Sequence, residues 1–129
     1  MRVLLDTHTF IWAASNRSFL SITALQVLTD SSNECLLSVV SPWEITIKYA
    51  NQKLSLPTLP GPFVTLQMRS LALELLPITL VHLAPLETMP FHHRDPFDRL
   101  LIAQSLVENV TILSADVAFD AYAGVTRLW

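Results

Sequence analysis

Val3-Leu4-Leu5-Asp6-Thr7-His8 opens with a continuous apolar run that stops at a carboxylate, and this stretch decides the fold. Aliphatic residues without polar alternation read as a strand buried on both faces, the habit of central strands in parallel sheets. Cys35-Leu36-Leu37-Ser38-Val39-Val40 has the same character, and Val110 to Leu113 gives another such strand. Glu74 to Ile78 is predicted as an edge strand, because Pro77 cannot donate to a ladder. Val125 to Leu128 completes the set as a last edge strand. Helices are expected over Thr9 to Ala14, Ser21 to Leu28, about Phe63 to Leu73, Thr79 to Leu86 and Arg99 to Glu108, with a short one after Asp116. Asn51 to Pro62, with three prolines and a glycine, reads as a loop. Strands alternating with helices define an α/β fold: one domain over residues 1–129, with a central, mainly parallel sheet of four to five strands flanked by helices.

In such sheets, ligands bind beyond the carboxyl ends of the strands. Asp6 and Asp116 fall at that edge, while Glu44 and Asp98 fall in the first turns of predicted helices. Ser41-Pro42-Trp43-Glu44 has Ser at the N-cap, Pro in the first turn and Glu three residues on. Asp95-Pro96-Phe97-Asp98 repeats that pattern, with Asp95 as the cap. Each of the four acids therefore has a structural role open to it, as a cap or as the reciprocal arm of a capping box. Their joint placement on one edge points instead to a site for a hard divalent cation, Mg²⁺ or Mn²⁺. Without a cation, two carboxylates ~5 Å apart repel by about 3 kcal/mol at an effective dielectric of ~20.

Hydrophobic residues make up 51% of the chain and charged residues 15%, below the usual quarter, so an apolar face is expected to meet a partner or a second copy. A formal net charge of −3 leaves no overall basic footprint for nucleic acid, so any polyanion must be met through metal and a local basic rim. Cys35 has no partner for an internal disulfide, and Asp6 interrupts the apolar stretch after Met1-Arg2, where a signal peptide would continue. A soluble, cytoplasmic protein without membrane segments is expected.

Leu4-Leu5-Asp6-Thr7-His8, Ser41-Pro42-Trp43-Glu44-Ile45, His93-Arg94-Asp95-Pro96-Phe97-Asp98-Arg99-Leu100-Leu101-Ile102-Ala103-Gln104 and Ser114-Ala115-Asp116 together resemble the PIN-domain ribonucleases, and among them the VapC-like toxins of type II toxin–antitoxin pairs. The resemblance runs end to end and implies a Mg²⁺- or Mn²⁺-dependent endoribonuclease. It implies an RNA substrate, often tRNA or another translational RNA, a cognate antitoxin and a homodimer. The family's acidic quartet maps onto Asp6, Glu44, Asp98 and Asp116. On that basis Asp6 and Asp116 are expected to be the principal metal ligands with Asp98 beside them, directly or through water, and Glu44 to orient a metal-bound water or complete the metal's shell.

Around the quartet, Thr7 and Ser114 are the hydroxyls expected to orient carboxylates. Arg94 and Arg99 are candidates for phosphate contact or for pairing with the acids, and Lys48 and Lys53 for an RNA-facing rim. His93 is expected to fix the loop ahead of Asp95. Trp12 and Phe10 are expected in the core, with base stacking as the alternative. The apolar surplus in Phe19 to Leu28 and Trp43 to Leu56 is the expected antitoxin groove. Two other functions fit parts of the pattern. A haloacid-dehalogenase-like phosphatase also begins with an apolar strand ending in Asp, but it wants a second Asp where His8 stands. A non-catalytic binding module would keep the acids only as caps. The four histidines lack Cys/His spacing for zinc.

Overall fold

The computed structural model describes residues 1–129. Its strands are β1 (Arg2–Leu5), β2 (Glu34–Ser38), β3 (Glu74–Leu76), β4 (Thr111–Leu113) and β5 (Arg127–Leu128). The helices are α1 (Thr7–Ser15), α2 (Ile22–Thr29), α3 (Val40–Ala50), α4 (Pro60–Ser70), α5 (Leu80–Leu83) and α6 (Pro96–Glu108), with 3₁₀ turns at Arg17–Phe19, Ala84–Glu87 and Val117–Ala121. All five strands are parallel in the order β3-β2-β1-β4-β5, so β1 lies at the centre and β3 and β5 are the edges.

The side-chain period of two sorts the aliphatic run into two cores. Val3, Leu5 and Leu37 face one side, where Phe10 and Ala13 of α1, Ala24 and Val27 of α2, and Phe63 and Val64 of α4 cover them. Leu4, Leu36 and Ile112 face the other, under Leu101, Ile102 and Ala103 of α6 and Phe119. The unbroken hydrophobicity of β1 follows from this, since both of its faces are covered. β1 and β4 pair with Leu5 opposite Leu113, which sets Asp6 and Ser114 side by side just past the sheet.

Element boundaries differ from expectation at α3. Ser41 is not its N-cap: the helix starts at Val40, behind Val39, and no side chain caps Val39's position. The hydroxyl of Ser38 accepts the Val40 N–H at 3.1 Å, so that duty falls at the end of β2 instead. Pro42 then lies at the third helical position, still among the first four residues whose N–H groups have no intrahelical partner. The capping box expected between Ser41 and Glu44 is therefore absent. α4 starts at Pro60, three residues before expectation, with proline at its first position. No helix is long and apolar enough to cross a membrane.

Candidate metal centre

Each acid is delivered by a strand end or a helix start. Asp6 follows β1 and caps α1, its Oδ1 accepting from the Thr9 N–H at 2.8 Å. Its Oδ2 accepts from the Ser114 hydroxyl at 2.5 Å. Asp116 follows β4 and caps the Val117–Ala121 turn through Oδ1, which accepts from the Ala118 N–H at 2.9 Å. The Asp116 N–H donates to the same Ser114 hydroxyl at 3.0 Å. Ser114, fully buried, thus ties together the acids that end neighbouring strands. Capping and clustering coexist here: each cap fixes one carboxylate oxygen, while the other meets the Ser114 hydroxyl from Asp6 and lies near His93 from Asp116.

Glu44 is buried in α3, and neither of its oxygens serves a helix cap. Thr7 donates to Oε1 at 2.7 Å, with the Ser41 hydroxyl 3.0 Å from Thr7, and the Lys48 ammonium donates to Oε2 at 2.5 Å. Among the eight Lys and Arg residues, only Lys48 places its charge on one of the four acids. Asp98 sits in the first turn of α6, where Asp95 is the cap and accepts from the N–H groups of Phe97 and Asp98. Burial first, and then the charge of Asp95, push the Asp98 carboxyl up to about 7, with smaller repulsions from Glu44 and Asp6 and an opposing pull from His93. The contributions of Glu44 and Asp6 show that acids from two other segments lie near enough to Asp98 to repel it.

The geometry adds a residue that the sequence did not suggest for the site. His93 Nε2 lies 2.9 Å from Asp98 Oδ2 and 3.5 Å from Asp116 Oδ2. One donor atom from each of these three residues falls within 4.8 Å of the others. His93 also fixes the loop, as expected: its Nδ1 accepts from the Asp95 N–H at 3.3 Å. The available clue was the Asp95-Pro96 turn, which folds the preceding loop back beside the first turn of α6.

Arg99 and Arg94 are placed differently from expectation. Arg99 is buried and makes no ion pair; it donates to the carbonyls of Met89, Pro90 and His93 and stacks 3.9 Å over the Phe91 ring. One residue beyond Asp98 on a helix is a rotation of about 100°, which turns its side chain away from the acids. Arg94 is exposed and touches none of the four. Asp120 lies outside the cluster, paired with Arg127 at 2.9 Å. Phe10 is in the core, but Trp12 is only half-buried and, with His8 and Ala115, borders a cleft of about 240 Å³ beside Asp6 and Asp116. Asp98 and Asp116, with Asp6 tied to Asp116 through Ser114, offer hard carboxylate oxygens of the kind Mg²⁺ or Mn²⁺ prefers.

Comparison with known proteins agrees with this architecture. The family model for the PIN domain matches residues 3–125. This chain belongs to the PIN-domain family. No curated protein matches its sequence. Three solved structures share the fold, each with a TM-score of 0.67 and 99% of this chain covered: VapBC2 from Rickettsia felis bound to a promoter DNA fragment (12% identity, 98% of that chain), DNA-bound VapBC from Salmonella typhimurium (17%, 97%) and VapBC-1 from nontypeable Haemophilus influenzae (15%, 97%).

Proposed function

We propose that this protein is a Mg²⁺- or Mn²⁺-dependent endoribonuclease toxin of the VapC kind, held inactive by a cognate antitoxin. PIN domains are generally nucleases. The observation that supports the reading is the placement of Asp6 and Asp116 beyond neighbouring strands, bridged by Ser114, with Asp98 beside Asp116 and near enough to Glu44 and Asp6 to feel their charges. Capping accounts for the positions of Asp6 and Asp116 but not for those of Asp98 and Glu44, which cap nothing.

Asp6, Asp98 and Asp116 would hold the cation, whose chemistry is to polarise a phosphodiester and acidify water. The protein's own contribution is orientation. Ser114 sets the rotamer of Asp6 and the backbone of Asp116; Thr7 sets Glu44, whose carboxylate would direct a water at the phosphorus. Lys48, one turn on from Glu44, is the nearest protein cation and a candidate for contact with the substrate phosphate. Attack by water on phosphorus with breakage of the P–O3′ bond would leave 5′-phosphate and 3′-hydroxyl ends.

The solved relatives by fold are toxin–antitoxin complexes, which supports an antitoxin partner here. Phe19, Ile22 and Trp43 are exposed within the segments expected to receive it. Exposed Leu80, Val81 and Phe91 add apolar surface elsewhere, available to a homodimer. A cytoplasmic location follows from an RNA substrate of translation. The test is incubation of the purified chain with total RNA and Mn²⁺, followed by mapping of new ends. Discrete metal-dependent cuts with 5′-phosphates, abolished by Asp6→Asn, are expected; undiminished cutting by Asp6→Asn contradicts the proposal.

A further inference from the structure

His93 stands among the acids with no role assigned to it. Three ligand atoms so close together invite the view that its imidazole binds the cation alongside Asp98 and Asp116. The hydrogen-bonding of the ring points the other way. Nδ1 accepts from the Asp95 N–H, and an accepting ring nitrogen carries no proton. In the neutral imidazole the proton then sits on Nε2, where it occupies the lone pair that a metal would need. Histidines that bind metal usually have the reverse arrangement, donating from the second nitrogen to a carbonyl or carboxylate.

We propose that His93 is a positioning residue: its Nε2–H, beside both Asp98 and Asp116, serves the two carboxylates as a donor and does not itself ligate metal. The inference rests on the reading of those acids as a metal site. Nε2 is shut off from solvent and makes no hydrogen bond in this arrangement, and its nearest acceptors are Asp98 Oδ2 at 2.9 Å and Asp116 Oδ2 at 3.5 Å, so a small rotation of the ring or of either carboxylate is all that donation needs. A donor N–H beside the two carboxylates eases the repulsion between them without competing for the cation.

A second, independent observation is the scaffold behind the ring. The His93 N–H donates to the Tyr122 hydroxyl at 2.8 Å, and the His93 carbonyl accepts from Arg99 at 3.3 Å. Arg99 also holds the carbonyls of Pro90 and Met89. A buried guanidinium with no carboxylate partner is costly to keep. Here it fastens the loop from Met89 to His93, and His93 is the one side chain of that loop to reach the acids.

Long-range ¹H–¹⁵N spectra of the metal-free protein read the tautomer directly; the Nε2–H form of His93 is expected, and the Nδ1–H form overturns the proposal. With Mn²⁺ bound, electron spin-echo spectra should show no directly coordinated nitrogen; a nitrogen coupling lost in His93→Gln overturns it as well. His93→Gln keeps an N–H donor and should retain most Mn²⁺ affinity, whereas His93→Leu should lose at least about tenfold. The Leu variant should also lower kcat with little change in KM. Equal loss in both variants contradicts a donor role. A wild-type chain that takes up no Mn²⁺ refutes the metal reading instead, and the tautomer then judges His93 separately.

Discussion

Asp98 carries the clearest chemical signature of any residue in the chain. Its folded-state pKa of about 7 lies above the ordinary 3.8, so between those values the folded protein binds a proton that the unfolded chain has released. Stability linked to this group is full below about pH 4 and is lost as pH rises through about 7. Denaturation of the metal-free protein should therefore show a fall in stability across that window, and Asp98→Asn should flatten it. An unchanged slope in the variant would contradict the environment described for this carboxyl. Glu44 offers a second test. Glu44→Gln keeps an acceptor for Thr7 and removes the buried charge; cleavage should be lost, with stability altered by less than about 1 kcal/mol because desolvation of the charge and its pairing with Lys48 roughly cancel. Full activity of this variant would exclude Glu44 from the chemistry. In the sequence, the acids were recognisable from their position at strand ends and helix starts. His93 was not, because a loop histidine announces no direction, and Arg99 was misread because its neighbour Asp98 lies on another face of the helix.

The elements show which local signals survive folding. Ser21 caps α2 and Asp95 caps α6 as their sequence patterns suggest, since nothing upstream competes for those N–H groups. Ser41 fails as a cap because Ser38, at the end of β2, reaches the helix start first. That shift frees Glu44 from the capping box, and its carboxylate meets Thr7 and Lys48 instead. Asp95 separates cap from ligand. Asp95→Ala should cost about 1 kcal/mol in denaturant unfolding while cleavage persists. Loss of cleavage equal to that of Asp6→Asn would make Asp95 a ligand. The strands were legible because β1 and β2 are unbroken aliphatic runs. The exact edges of β3 and β5 were not, since a strand of two or three residues is defined by its neighbour more than by its own sequence.

At the scale of the molecule, a parallel order with β1 at the centre and β4 beside it makes the site possible. Residues 6 and 116 become neighbours only because β1 and β4 pair in that register, and α3 and α6 then supply Glu44 and Asp98 from their first two turns. Resemblance at the level of short blocks anticipated this convergence, while composition gave no hint of it: a net charge of −3 and 8 basic residues mark no RNA surface. The most direct measurement is the anomalous scattering of a crystal soaked in Mn²⁺ at the concentration that supports cleavage. The account predicts a peak within bonding distance of carboxylate oxygens of Asp6, Asp98 and Asp116, missing in Asp6→Asn. Manganese bound elsewhere, or no peak among these acids, would contradict it.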